Sequence, residues 1–501
     1  MNQSPAGDVQ GATAAGRGFP LAEQRRVVLL LTLAYTLNSA DRTLIAIIGQ
    51  PLKLDLRISD TELGLLMGTA FAILYSISGL PIARLAERFS RVAIISLAMA
   101  VWSCLTALCG TAANFPQLLL IRMGVGVGEA GCTPPAHSLI ADYVRPERRG
   151  TALSVYSCGI SLGYMLSALV GGFMATHYGW RSACLVVGLP GLLVALILAR
   201  CIREPPRGQS EGAVLRPFKP DSTPAYAGLR AELSEFGTVA KILFTRAATA
   251  HIIVGVVIAT FVAQGSYAFV PIYFFRAFGL NYTTIGVISA LTGGAAVGVG
   301  FLCGGFLTDY LGARHPRWYA LIPALGLLVS APLFALSFLQ SRWLVSAWLL
   351  AAAGFFQYLS FGPTFGVIQN ALDARRRATA TAIIYVFLTL LGLGCGPLFT
   401  GWMIDHFGQS IFAGSGAAAL VPGSRLAISF HDLCVRGGAL NAGPLKSVCA
   451  LSQDLATRRS LVITVLLYLW ASLHYVLAAV ALSRERRRRV EAVPVDHSPI
   501  G

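Results

Sequence analysis

Apolar residues along this chain come in long runs, without the strict alternation of strands or the narrow stripe of a soluble helix. Twelve runs stand out: 27–50, 61–83, 92–112, 115–140, 150–176, 182–201, 248–274, 284–308, 318–340, 343–370, 378–404 and 459–482. Each reaches the roughly 20 apolar residues a helix needs to cross the hydrocarbon core. In lipid, only helices and closed barrels satisfy their own backbone groups. The pattern predicts an all-α membrane protein of twelve transmembrane helices. Residues 1–26 read as a disordered segment, 27–202 as an N-terminal six-helix bundle and 203–247 as a polar linker. The linker carries an amphipathic stretch near 229–243. Residues 248–482 read as a C-terminal six-helix bundle, with a long polar loop at 405–458, and 483–501 as a basic tail.

The two halves repeat. Ala83, Glu87, Arg88, Ser90 and Arg91 after the second run are echoed by Gly305, Asp309, Gly312 and Arg314 after the eighth. Arg148-Arg149-Gly150-Thr151-Ala152 is echoed by Arg376-Arg377-Ala378-Thr379-Ala380, and His177-Tyr178-Gly179 by His406-Phe407-Gly408. The offsets run from 222 to 229 residues. Near-constant spacing implies two parallel six-helix repeats related by an axis along the membrane normal.

Composition agrees: 55% of residues are hydrophobic and 12% charged, against about 25% charged in soluble domains. The net charge of +16 does not mark a nucleic-acid partner, because the basic residues sit in short clusters between apolar runs. Most fall on the side of the two termini, which places both termini in the cytoplasm and the protein in the plasma (inner) membrane. The tail arginines 484 and 486–489 either signal topology or touch anionic membrane lipid. No nucleophile, base and metal pattern occurs, so the chain reads as a non-enzyme without metal or cofactor; it is expected to act as a monomer. Cys434 and Cys449 lie in the 405–458 loop on the oxidising side, where a disulfide can form.

Ionisable residues inside apolar runs carry the chemistry. Asp41-Arg42 interrupts the first run; Arg122 and Glu129 lie two turns apart in the fourth. A charge at mid-bilayer costs roughly 2.5–3.5 kcal/mol on insertion scales, so such residues face a bundle interior or a watery cavity. Arg42 and Arg122 either bind an anionic headgroup through the guanidinium fork or lock the bundle by pairing with Asp41 and Glu129. Asp41 and Glu129 are candidate proton carriers, pulled one way by burial and the other by a nearby arginine. The C-terminal half offers Gln264, Tyr267, Gln357, Tyr358, Gln369 and Asn370 among apolar side chains. Gln264, Tyr267, Tyr358 and Asn370 are expected on the substrate path, against its apolar portion. Clusters at Glu87, Arg88, Arg91, Glu147, Arg148 and Arg149, and at Asp309, Arg314, Asp373 and Arg376, are expected to close the cytoplasmic gate through ion pairs between the halves.

This pattern resembles the major facilitator superfamily. Residues Ala83–Arg91 resemble its G-x-x-x-D-R-x-G-R motif, with Ala, Glu and Ser in place of Gly, Asp and Gly; Arg122 and Gly126 match its R-x-x-x-G. A narrower likeness to the spinster branch rests on Asn38-x-x-Asp41-Arg42, Ile58-Ser59-Asp60, Trp102-Ser103, Arg122–Ala130 and Ile140-Ala141-Asp142. That branch is associated with lysophospholipid and sphingosine-1-phosphate transport. The resemblance implies a proton-coupled alternating-access transporter of an amphipathic anionic lipid. A transporter of soluble organic anions or drugs is the first alternative, and a non-transporting receptor or scaffold the second.

Overall fold

The computed structural model describes residues 19–207, 225–312, 314–360, 364, 367, 377–415, 430–436 and 444–491. Among them there are helices and no strands. Nine of these helices are long and apolar enough to cross a membrane: α3 (Asp60–Ala86), α4 (Arg91–Cys109), α7 (Pro146–His177), α8 (Gly179–Cys201), α10 (Ala247–Phe278), α11 (Tyr282–Gly312), α12 (Trp318–Phe338), α14 (Thr379–Gly414) and α15 (Pro444–Glu491). The first, fourth and tenth runs instead form α1 (Leu21–Ile47), the pair α5 (Phe115–Glu129) and α6 (Thr133–Tyr143), and α13 (Trp343–Tyr358). Two further helices lie between spans: α2 (Gly49–Leu56), and α9 (Ala225–Thr245) in the linker.

Polar residues between the runs start the helices. Ser59 caps α3 in a reciprocal capping box with Glu62; Asn114 and Asn281 cap α5 and α11 by accepting from Gln117 N and Thr284 N. Each cap satisfies a donor the helix cannot. The fourth run, read as one helix to 140, breaks at Ala130–Cys132. Pro134 and Pro135 follow the break, and proline lacks the N–H that would bond back across it. Several helices outrun their apolar runs. α1 begins at Leu21, α14 continues to Gly414, and α15 spans Pro444–Glu491. Hydropathy marks the part in hydrocarbon, whereas the helix continues through polar turns beyond it.

The end of the bundle opposite the linker, here the far end, is where the halves lock. The lock repeats at the offset of the sequence repeat. Asp405 of α14 accepts from Asp60 N (3.1 Å), Thr61 N (2.7 Å) and Thr61 Oγ1 (2.6 Å) at the start of α3. Its counterpart Thr176 of α7 accepts, through Oγ1, from Thr283 N at the start of α11 (2.8 Å). Gly64 and Gly401 lie on the first seam, Gly286 and Gly172 on the second. A Cβ at any of the four would fall against a backbone carbonyl of the facing helix: Pro397, Asp60, Ala168 and Tyr282 respectively. Small residues permit this backbone approach. By contrast, a Cβ at Gly79, nearer the linker end of α3, meets nothing within 4 Å.

Among the described residues, three membrane helices contain a π-helical turn, at Leu65–Thr69, Ala290–Ala295 and Leu388–Gly394. Thr69 Oγ1 donates to Gly394 O at 2.7 Å, joining two of them across the halves. Such turns are frequent at functional sites.

Cys434 and Cys449 are disulfide-bonded, with Cα atoms 5.4 Å apart, and sit in a small core with Phe412, Phe430, Leu433 and Leu445. Replacing both by serine should lower the local opening free energy of 430–436 and 444–455 by about 2–4 kcal/mol, measured as faster hydrogen exchange there. Unchanged exchange would show that the apolar core alone holds the segment.

Candidate functional site

Asp41 and Arg42 come from the last third of α1, Arg122 and Glu129 from α5. Packing of these helices with α3 and α4 brings all four into the N-terminal half. Arg42 reaches across to Glu129 Oε2 with Nε at 3.1 Å and Nη2 at 2.9 Å; Nη2 also lies 3.4 Å from Asn38 Oδ1, one turn back. Its guanidinium stands over Phe71 and Tyr75, 5.0 and 5.3 Å from their ring centroids. Glu129 is the last residue of α5, presented there because the helix breaks before Pro134 and Pro135.

The four groups differ in access. About a quarter of the Arg42 side chain, 27%, is exposed, while that of Glu129 is 0% exposed. Asp41 and Arg122 are each 1% exposed. Arg122 therefore does not reach an open path as expected; Phe71, 5.9 Å from its guanidinium, and the Asp41 backbone cover it. Arg122 Nη1 contacts Asp41 O at 3.5 Å, and its Nε and Nη2 have no hydrogen-bond partner. Asp41 Oδ1 and Glu129 Oε1 are likewise buried without a partner. Buried polar atoms normally find partners, so this cluster of four ionisable residues inside the membrane runs holds unused hydrogen-bonding capacity.

In the C-terminal half, Gln264 and Tyr267 lie half-buried on α10. Tyr267 Oη is 3.4 Å from Gln357 Oε1, and its ring stands edge-on to Tyr164 of the other half at 6.4 Å. Tyr358 is half-buried at the end of α13. Asn370 lies outside the described residues, as do Asp373 and Arg376 and the side chains of Glu87, Glu147 and Asp309.

Among the described residues, the contacts seen for Arg91, Arg149 and Arg314 lie within their own halves. Arg91 is buried and binds Asp142 Oδ2 (2.5 Å), Ser138 Oγ (2.7 Å) and Glu204 Oε1 (2.7 Å), pinning the start of the linker to the first bundle. Arg149 donates to Ala141 O and Val144 O; Arg314 donates to Tyr310 Oη at 2.6 Å; Arg88 and Arg148 are exposed. The expected gate concerns a state open at the far end, and this structure is closed there.

Among the described residues, an ion pair that the sequence reading does not predict joins the halves at the far end. Arg276 of α10 holds Asp60 with Nη2–Oδ1 at 2.7 Å and Nη1–Oδ2 at 3.1 Å, and reaches Gln50 Oε1 at 3.1 Å. Lys53 binds the same carboxylate at 2.6 Å. Asp60 and Arg276 stand at the edges of apolar runs, where a charged residue reads as loop.

Residues 31–393 match the sequence model of the Major Facilitator Superfamily. The fold is similar to the crystal structure of a bacterial homolog to the human lysosomal transporter Spinster in an inward-facing, unoccupied conformation. The TM-score is 0.78 at 32% identity, covering 93% of this chain and 99% of that one. An MFS-type efflux pump of Mycolicibacterium smegmatis is 30% identical over 78% of this chain and 87% of its own. A hexuronate transporter of Bacillus subtilis is 25% identical over 79% and 91%.

Proposed function

This chain belongs to the Major Facilitator Superfamily, in its spinster-like branch, and from that premise we propose that it carries an amphipathic anionic lipid by alternating access, coupled to protons. It is a transporter and not an enzyme. The observation that carries the cargo reading is Arg42: a guanidinium with an exposed part, set over aromatic faces and held by a buried carboxylate. An incoming phosphate or carboxylate competes with Glu129 for the same fork. When Arg42 turns to the cargo, Glu129 loses its counter-charge and takes up a proton; when the cargo leaves, the pair re-forms and the proton is released. Asp41, beside Arg122, is the second candidate carrier. With both termini in the cytoplasm, the closed far end faces outward, which corresponds to the inward-facing arm of the alternating-access cycle.

The apolar wall of the second half around Tyr267 and Tyr358, faced by Tyr164 of the first half, suits the acyl part of such a cargo. A second reading, a soluble organic acid, is favoured by the likeness to the hexuronate transporter. Competition binding on purified protein separates them. A lysophospholipid should displace a bound probe at concentrations at least tenfold below those of a hexuronate; the reverse order would select the second reading. For coupling, Asp41→Asn and Glu129→Gln are each assayed for uptake driven by a pH gradient. At least one should lose the gradient dependence while keeping counterflow, and undiminished coupling in both would end the proton assignment.

A further inference from the structure

Asp60 is unusual in holding two cations at once. Arg276 comes from the C-terminal half. Lys53 comes from α2 of the same half as Asp60, one helical turn after Gln50, which also touches Arg276. All three side chains are sealed: Lys53 is 2% exposed, Arg276 3% and Asp60 0%. A single arginine would already neutralise Asp60, so the lock as a lock does not require Lys53.

We propose that Lys53 is the counter-charge Asp60 keeps when the halves part, and that it lowers the barrier to opening the far end. Breaking a buried pair by removing one partner is costly because a bare charge stays behind. Parting the halves removes Arg276 from Asp60 and leaves Lys53 in place, so the carboxylate is never orphaned. Arg276 retains Thr457 Oγ1 of its own half at 2.9 Å and gains water. In the closed state Lys53 works in the same direction. It lies near Arg276, and like charges in a poorly solvated site repel. Burial, with the Arg276 charge adding to it, pushes the Lys53 ammonium below its ordinary range; Asp60 and Asp405 pull it back. Lys53 thus weakens the closed lock and stabilises the parted one, which makes it a positioning residue for the transport cycle. This rests on the alternating-access reading above.

Hydrogen exchange on the full-length protein in nanodiscs tests it. The amides of Asp60 and Thr61 are capped by Asp405 and exchange when the far end opens. Asp60→Asn and Arg276→Met should speed exchange over 60–66 and 281–289. Lys53→Met should slow it about fivefold or more, the opposite direction, while Lys53→Arg stays near wild type. Adding Lys53→Met to Asp60→Asn should slow exchange less than Lys53→Met does in the wild-type background, since the Asp60 carboxylate is no longer there to be kept company and only the repulsion of Arg276 is relieved. If Lys53→Met does not assemble, Lys53→Gln carries the same comparison. Exchange in Lys53→Met that is unchanged, or faster as in Asp60→Asn, overturns the proposal. If Asp60→Asn and Arg276→Met themselves change nothing, the far-end closure reading fails instead.

Discussion

Replacing Arg42 by alanine should weaken cargo binding by about 10- to 100-fold and abolish gradient-driven uptake. A hydrogen bond to a charged group contributes about 1.5–3 kcal/mol, and each 1.4 kcal/mol is a tenfold change in affinity. The substitution removes a fork with at least two engaged donors. It also strands Glu129, whose side chain is fully buried, so that carboxyl should stay protonated through the cycle and carry no proton flux. Arg42→Lys separates charge from geometry: an ammonium keeps the charge and loses the planar fork, and should recover part of the binding. Isothermal titration and proteoliposome uptake measure both. Affinity within twofold of wild type in Arg42→Ala would remove Arg42 from the cargo site. Arg122→Ala should act differently. Its guanidinium is covered, so the variant should lose thermal stability before it loses cargo affinity.

The second large effect is expected at the far-end seams. In Gly64→Val and Gly286→Val the new Cβ would meet the carbonyl of Pro397 or Ala168. Backbone cannot rotate out of the way as a side chain can, and overpacking of this kind costs about 1–3 kcal/mol. That cost falls on the closed far end alone, so it acts as a population shift rather than as general destabilisation. The double variant should favour the parted state by roughly 100-fold over wild type, taking about 1.4 kcal/mol per seam, and should run cargo exchange at least tenfold more slowly. Spin labels at the exposed positions Arg57 and Ser410 report the separation. They need non-cysteine attachment, because the chain has ten cysteines of its own. An unchanged distance distribution would mean that the seams yield by other routes.

Much of this architecture is legible in residue order. The apolar runs mark the membrane helices, because hydrophobic thickness imposes length directly. The repeat offset marks the two halves and, read one step further, would have marked the lock: Asp405 lies 229 residues after Thr176, and Thr283 lies 222 after Thr61. The Arg42–Glu129 pair was recoverable because charge inside a span has few alternatives to partnership. Three things were not recoverable. Helical spacing places Arg122 and Glu129 on one face without saying which of them Phe71 covers. The π-helical turns carry no residue signature that separates them from ordinary glycine-rich helix. The Asp60–Arg276 bond joins residues 216 apart that both sit at run ends, where composition does not distinguish a buried ion pair from two solvated loop charges. The helix break at Ala130–Cys132 is signalled by Pro134-Pro135, against a continuous apolarity that by itself predicts one helix.

The two seams are not equal partners. One is fastened by a carboxylate that takes three donors, the other by a lone hydroxyl, and charge-assisted bonds are roughly twice as strong as neutral ones. Two plates joined this way do not lift apart evenly. The weaker edge, between α7 and α11, should come away first while the stronger edge serves as a hinge pin, so the first outward crack is a sideways slit facing the lipid and not a round mouth facing water.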